Sequence, residues 1–456
     1  METPQIHSTL KALHKNFVIT TIDKASGNFA VTCKKLYLQF LEKELNTVTG
    51  GNRTYEPLNT ADCQAIVDIH DRSTRGYGLE TLPDGCIPKI HAIPKMHKNP
   101  VKARFITGAQ NSSLKPISLE LQKILQFLKE HFRRYCTQIT ERTGVTHYFS
   151  ISNTEQVVQK LRSAHGVSNK LFCADFASLF TNLPHDVVID NLYGLIDMMF
   201  KNSNMEYVVT SGSHVRYSKQ DTGKIHCYHK NDVKFILKTI LDNSFAMYAG
   251  TVYKQNRGIP QGNNASPQIA DLTLSFMEFR FVKEKVNRNH ALAFSLSRTF
   301  RYIDDLLHCS SNAADFVNIT SAMYHSSLTL EQTNNTDKKS AFLDLDIECT
   351  RDGVTTSLYN KTDDYSFSVV RYPHFSSCIP RRIGLNTLHG EFLRIYRNCS
   401  KSQHFYIRSR ALTDYFFSVG YPRTLINSRI IRTIKMNPSI ALKYGISDGA
   451  LCASIL

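Results

Sequence analysis

Arg301-Tyr302-Ile303-Asp304-Asp305-Leu306-Leu307 sets two adjacent acids inside an otherwise apolar run. Adjacent aspartates usually mark a solvated turn, and the chain carries its own control: Asp363-Asp364 follows the polar Asn360-Lys361-Thr362 and reads as an ordinary connection. At 304–305 a hairpin fits instead, with the aspartates in the tight turn and the flanking apolar residues in two strands.

Working outward, the same pattern recurs at Asp175, where the strand-like run Leu171-Phe-Cys-Ala174 ends on a carboxylate. Between the two lies Gly258-Ile-Pro-Gln-Gly262-Asn-Asn-Ala-Ser-Pro267. In this order the segments are expected to bring Asp175, Asp304 and Asp305 to one point. Carboxylate oxygens suit hard divalent cations, and two such ions roughly 3.5–4 Å apart activate an attacking hydroxyl and neutralise a leaving group at phosphorus. The expectation is a polymerase palm holding two Mg2+ ions, with Mn2+ as an alternative.

Phe180 stands five residues after Asp175, where a bulky ring under the incoming sugar excludes a 2′-hydroxyl and favours dNTPs. Gly258 and Gly262 bracket Ile-Pro-Gln, allowing backbone to approach a ligand, and Gln261 offers both donor and acceptor to a nucleotide. From Ser266 the residues SPQIADLTLSFMEFRFV recur apolar at helical spacing. Lys338 or Lys339, just before AFLDLDIE, is the candidate general acid for pyrophosphate. Asp344 and Asp346 are read as the polar side of a half-buried strand.

The chain has 456 residues, 42% of them hydrophobic, which suits a globular protein of about three subdomains. No apolar run approaches the roughly 20 residues of a membrane span, and the N-terminus shows no signal-peptide stretch. No two of the 11 cysteines lie closer than 21 residues, so a reducing compartment is expected; with no signal peptide or membrane span read, the expected location is intracellular and nuclear. The net charge of +16 points to a phosphate-rich partner. From Arg351 to Leu456 there are 15 Lys and Arg against 6 Asp and Glu, as in an arm that holds a nucleic-acid duplex; Arg381, Arg382, Arg394 and Arg397 are its candidate contacts.

The expected elements are strand, turn and helix over residues 15–45, with Phe29–Cys33 leading from the turn at Lys24–Asn28 into the helix, then an extended ribbon over 87–106 carrying Lys95, Lys98, Lys102 and Arg104 between prolines. Helices are expected at Leu114–Cys136, Asp186–Met199 and Asp232–Leu241. The polar, His-rich stretch 202–230 reads as an insertion loop.

With these residues in hand, the chain resembles reverse transcriptases, most closely the Penelope-like retroelement branch, itself similar to telomerase. The resemblance runs through ITTIDKASGNFAV (19–31), HAIPKMHKNPVKARFI (91–106), DFASLFTNLP, FAMYAGTVYKQNRGIPQG (245–262), RYIDDLL and AFLDLDI into the basic segment 357–400. It implies an α+β right-hand polymerase: N-terminal region and fingers over 1–170, an antiparallel palm with flanking helices over 171–350, and a helical thumb over 351–456. It implies metal binding by Asp175, Asp304, Asp305 and the Phe176 carbonyl, a sugar gate at Phe180, and triphosphate or template contacts from Arg104 and Lys95. Gln261 and Gly262 would line the nucleotide site, with Lys98 and Lys102 on nucleic acid. The implied activity is RNA-directed DNA synthesis on an RNA template from a DNA primer with dNTPs. The alternatives are a telomerase-like or DNA-templated polymerase, or a non-catalytic nucleic-acid scaffold. Gly-Ile-Pro-Gln-Gly departs from the Ala-Met-Gly form common in the Penelope-like branch, and neither a GIY-YIG endonuclease nor an RNase H is read in these residues.

Overall fold

The run Leu171–Ala174 is buried without alternation, so the strand that contains it is covered on both faces. In the computed structural model, which describes residues 4–49, 51–58, 62–163, 170–223, 226–310, 314–334, 336–351 and 353–455, this strand is Lys170–Phe176. It lies in a four-stranded antiparallel sheet ordered Thr299–Tyr302, Asp305–Ser310, Lys170–Phe176, Leu330–Gln332. Successive side chains of a strand point to opposite faces. Phe172, Ala174 and Phe176 accordingly enter the main core, whereas Leu171 and Cys173 enter a second core with Val157, Phe300, Leu307 and Ile347.

Helices supply the main core. Lys115–Thr143 buries Leu121, Ile124, Leu125, Leu128 and Phe132 at the expected 3.6-residue period. It runs a further two turns beyond the expected Cys136 and stops at Gly144, whose φ of 72° is the left-handed C-terminal cap. The helices His185–Ser203 and Lys230–Asp242 each exceed their sequence-derived limits by one or a few residues at either end. The helix Ser266–Arg288 differs in kind: its first fourteen residues are buried nearly all round, including the polar Asp271, Ser275 and Glu278.

The stretch 202–230 is not a simple loop. Tyr207–Ser211 pairs with His214–Ser218 and with Cys227–His229, and Val208 and Tyr228 reach the main core. Its β-branched and aromatic residues outweigh the polar composition that suggested an insertion.

Before the central sheet come the hairpin Phe17–Ile22 with Ala25–Cys33, the helix Lys34–Leu45, and the ribbon Ile90–Lys95 with Lys102–Thr107. Asp23 N–H donates to the Pro94 carbonyl at 3.1 Å, joining hairpin to ribbon. After it come the sheet of strands Lys339–Phe342, Leu345–Thr350 and Gly353–Leu358, then five helices from Arg381 to Ile455 around Phe392, Phe405, Phe416 and Ile430. Pro380, Pro422 and Pro438 stand at three of the helix starts, where a fixed φ is compatible and no N–H is needed.

Phe132 is fully buried, with ring contacts to Tyr148, Phe276 and Phe279 at 5.8, 6.2 and 5.4 Å. Phe132→Ala is expected to cost about 3–5 kcal/mol, read as a lower denaturation midpoint with an unchanged slope.

Candidate active site

The register of the central sheet sets Asp305 directly opposite Asp175. Asp304 stands in the turn beside them, and its carbonyl accepts the Phe176 N–H at 3.0 Å. The turn itself differs from expectation by one residue. Tyr302 pairs with Asp305, so the two-residue loop is Ile303-Asp304 and Asp305 begins the next strand. Ile303 occupies the left-handed region at φ 54°. A β-branched side chain is a poor occupant there, at a cost of about 1–3 kcal/mol that the surroundings must offset.

What holds this turn is buried beneath it. Arg301 is 0% exposed, and every guanidinium nitrogen is engaged. Nε donates to Glu278 Oε1 at 2.5 Å; Nη1 donates to Asp271 Oδ1 at 2.7 Å and to the Ile303 carbonyl at 3.2 Å; Nη2 donates to Ser275 Oγ at 2.7 Å. Lys129 Nζ pairs with Asp271 at 2.6 Å, and the Tyr324 hydroxyl donates to Glu278 at 2.8 Å. The Tyr324 ring in turn meets Phe176 edge-on at 4.9 Å. The sequence analysis did not single out Asp271 or Glu278; acids on an otherwise apolar helix were the available signal.

Burial, then the neighbouring Asp304 and Asp305, push the Asp175 carboxyl up to about 6, opposed by Lys24 and Lys95. Asp305 is likewise raised by burial and by Asp304, opposed by Lys361 and Lys24. Asp175 Oδ1 is buried without a hydrogen-bond partner. A desolvated, unpartnered anionic oxygen beside two more carboxylates fits a hard divalent cation. Among the described residues no three His, Cys, Asp or Glu side chains form a ready-made metal cage. The convergence of the three aspartates is thus one of backbone position, and like charges without a counter-ion have reason to splay.

The cations around the acids come from distant parts of the chain. Opposite residues of an antiparallel pair share a face, and Lys95 faces Lys102 while Ile93 faces Arg104; the alternation sets Lys95, Lys102 and Arg104 on one side of the ribbon. Arg104 pairs with the buried Asp23 at 3.0 Å. Lys24 follows Asp23 in the hairpin turn at φ 62°. Lys361, which the sequence gave no reason to select, opens the short helical turn Lys361–Asp364 after the last strand. From there the chain forms a strap back to the N-terminal hairpin. The Tyr365 hydroxyl donates to the Asp23 carbonyl at 2.5 Å, and the Asn28 side chain exchanges two hydrogen bonds with the Val370 backbone at 2.8 and 3.0 Å.

Lys338 and Lys339 are not brought to the carboxylates. Asp337, their neighbour, binds Leu171 at the far end of the Asp175 strand, four residues or about 13 Å away. Lys339 pairs with Asp346 at 3.4 Å. Asp344 lies in a hairpin turn rather than on a strand face, and it accepts from Arg394 at 2.8 Å. Arg394 is thereby committed within the protein, whereas Arg381, Arg382 and Arg397 are exposed, Arg381 lying over the Phe375 ring at 4.6 Å. Lys98 is exposed in the turn between the ribbon strands.

The Gly258–Gly262 loop joins these parts. The Gly258 φ is 85°, and a Cβ there would stand 2.5 Å from the Phe180 carbonyl; at Gly262, φ 118°, it would stand 2.1 Å from the Thr107 carbonyl. Thr107 N–H donates to Gln261 O at 2.6 Å, and Ile259 N–H to Phe180 O at 2.5 Å. Phe180 is half-buried at the edge of the main core. Phe180, Gln261 and the cationic ribbon are therefore joined by backbone hydrogen bonds.

Over its whole length the chain superposes on telomerase from Candida albicans, solved in complex with a TWJ fragment of telomeric RNA. The TM-score is 0.60 at 14% identity, covering 100% of this chain and 75% of that one. Apo telomerase from Candida tropicalis gives a TM-score of 0.51 at 12% identity, covering 97% and 69%. The fold is that of these telomerase structures, a mixed α/β, reverse-transcriptase-like fold. Residues 371–431 match the family described as the animal helix-turn-helix domain. No curated protein matches the sequence.

In metal-free protein, ionising Asp175 opposes folding, because its folded pKa lies above the ordinary 3.8. Stability should therefore fall as pH rises from that value through about 6. Asp175→Asn removes the titration, so its stability relative to wild type should be greater at pH 7.5 than at pH 5 in chelator; equal differences in denaturation at both pH values would refute the shift.

Proposed function

We propose that this chain is an RNA-directed DNA polymerase that extends a primer 3′-hydroxyl with dNTPs. The observation that carries the reading is the register that opposes Asp175 and Asp305 across adjacent strands, with Asp304 in the turn, inside a fold shared along the whole chain with telomerase. On this reading residues 1–170 hold the fingers, 171–350 the palm and 351–456 the thumb. The motifs quoted from 19–31 onward favour the Penelope-like branch. The whole-length likeness to telomerase supports the second reading, a telomerase-like enzyme.

Asp175, Asp304 and Asp305 would hold Mg2+ or Mn2+, with the Phe176 carbonyl assisting. Such ions supply Lewis-acid activation of the attacking hydroxyl and charge neutralisation at the leaving group. The protein's own residues provide the rest. Lys24, Lys95 and Lys361 surround the acids with positive charge, and Lys95 and Arg104 face a triphosphate or template from the ribbon. Gln261 and Gly262 line the nucleotide, and Phe180 closes off the 2′-hydroxyl. Placement beside the carboxylates makes Lys24 or Lys361 a better candidate proton donor to pyrophosphate than Lys338 or Lys339. Arg381, Arg382 and Arg397 hold the primer–template duplex through phosphates, a salt-sensitive contact. An RNA template, a DNA primer and dNTPs are the partners, and a nuclear location follows from that use; among the described residues no helix is long and apolar enough to cross a membrane.

Primer extension on matched RNA and DNA templates with dNTPs and Mg2+ tests the activity. Extension on RNA that is lost in Asp304→Asn is expected; extension on DNA alone would replace the reading with a DNA-templated polymerase. Phe180→Val is expected to raise ribonucleotide incorporation relative to dNTPs, and unchanged sugar selectivity in single-nucleotide kinetics would remove the gate.

A further inference from the structure

The carboxylate turn sits on a side chain that touches no reactant. We infer that Arg301 is a positioning residue, which fixes the Ile303-Asp304 turn from beneath and so sets the metal-binding geometry of Asp304 and Asp305. The inference rests on the proposed use of those aspartates as metal ligands.

Three observations carry it. Arg301 is completely buried, yet one of its N–H groups is spent on the Ile303 carbonyl, the residue in the left-handed conformation immediately before Asp304. The same guanidinium is locked by Asp271, Ser275 and Glu278, all on the buried helix Ser266–Arg288, so the turn is referenced to the most enclosed helix of the molecule. The network also reaches the opposite strand, since Tyr324 bonds Glu278 and packs on Phe176, next to Asp175. Both carboxylate strands are thus registered against one ionic cluster.

Stability alone is a weak account of such a cluster. Buried ion pairs repay their desolvation poorly, and apolar replacements of similar volume are often neutral or stabilising. A planar fork that reaches two acids and a carbonyl at once specifies orientation, which a lysine ammonium does not reproduce. Removing groups that orient metal ligands typically costs about 10–100-fold in metal affinity or activity.

The test uses the full chain in two variants. Arg301→Lys keeps the charge and removes the fork; the quadruple variant Arg301→Met, Asp271→Asn, Glu278→Leu, Lys129→Met removes the cluster together with the lysine that pairs with Asp271, so that no charge is left unpaired. Mn2+ binding without nucleic acid, followed by electron paramagnetic resonance, is the primary readout, with melting temperature recorded for each protein. Whichever variant folds is expected to bind Mn2+ about 10–100-fold more weakly and to lose kcat by a similar factor, with KM for dNTP and duplex affinity within about threefold of wild type. Adding Ile303→Gly, which tolerates a positive φ without support, should recover part of the Mn2+ affinity. A folded variant with wild-type Mn2+ affinity and kcat overturns the inference. If wild type extends no primer, the polymerase reading fails while the Mn2+ comparison still decides the role of Arg301. If wild type binds no Mn2+ at a site sensitive to Asp304→Asn, the metal-ligand premise fails, and the inference with it.

Discussion

Two aspartates directly opposite on adjacent strands, with a third in the turn beside them, repel one another, and much of the structure is arranged around that repulsion. Like charges facing across a strand pair destabilise the pair. Here the pair is also desolvated, which raises Asp175 and Asp305 together. The arrangement is tolerated because apolar packing on both faces of the central sheet leaves the strands no other register: shifting by one residue would move Phe172 and Ala174 out of one core and Leu171 and Cys173 out of the other. Hydrophobic contacts thus enforce an electrostatic conflict, which a bound cation would relieve.

Positive charge reaches the acids in two ways that differ in dielectric and in purpose. Below, Arg301 is sealed from water and neutralised by Asp271 and Glu278, so it organises backbone without presenting charge to a ligand. Above, Lys24, Lys95 and Lys361 meet solvent; burial first, then Lys361 and Arg104 for Lys24 and Arg104 and Lys98 for Lys95, hold Lys24 and Lys95 below the usual lysine range. An anionic ligand would relieve that second group as a cation would relieve the aspartates. The site is thus polarised into an acidic half and a basic half.

Legibility in the sequence followed the physics of each feature. Asp175, Asp304 and Asp305 stood out because acids at the ends of apolar runs are costly unless used. Gly258 and Gly262 stood out because their conformations exclude side chains, and the structure supplies the carbonyls of Phe180 and Thr107 as the reason. The turn was displaced by one residue because rules of turn composition favour Asp over Ile, whereas the pairing of Tyr302 with Asp305 is a tertiary matter. Lys338 and Lys339 were chosen by proximity along the chain to a motif, and strand direction carried them away. Lys24 and Lys361 are brought near Asp305 from opposite parts of the chain by sheet-to-hairpin closure, which no local pattern encodes. Arg301 was visible only as the first letter of a motif; its role depends on helix residues 23 and 30 positions earlier.

The strap from Lys361 to Val370 has a consequence for the order in which the molecule is made. Tyr365 and Val370 bond Asp23 and Asn28 across 342 residues of sequence. The hairpin that carries Lys24 is synthesised well before the strap, so its packing surface of Ile22, Ala25 and Ala30 is covered by Tyr365 only once the intervening residues have also been made. Contacts of such separation form late, since loop closure must precede the gain from them. The central sheet and its helices have their own large core and can assemble beforehand. The rim that gathers cations over the aspartates is therefore completed after the central sheet, when the strap closes on the hairpin.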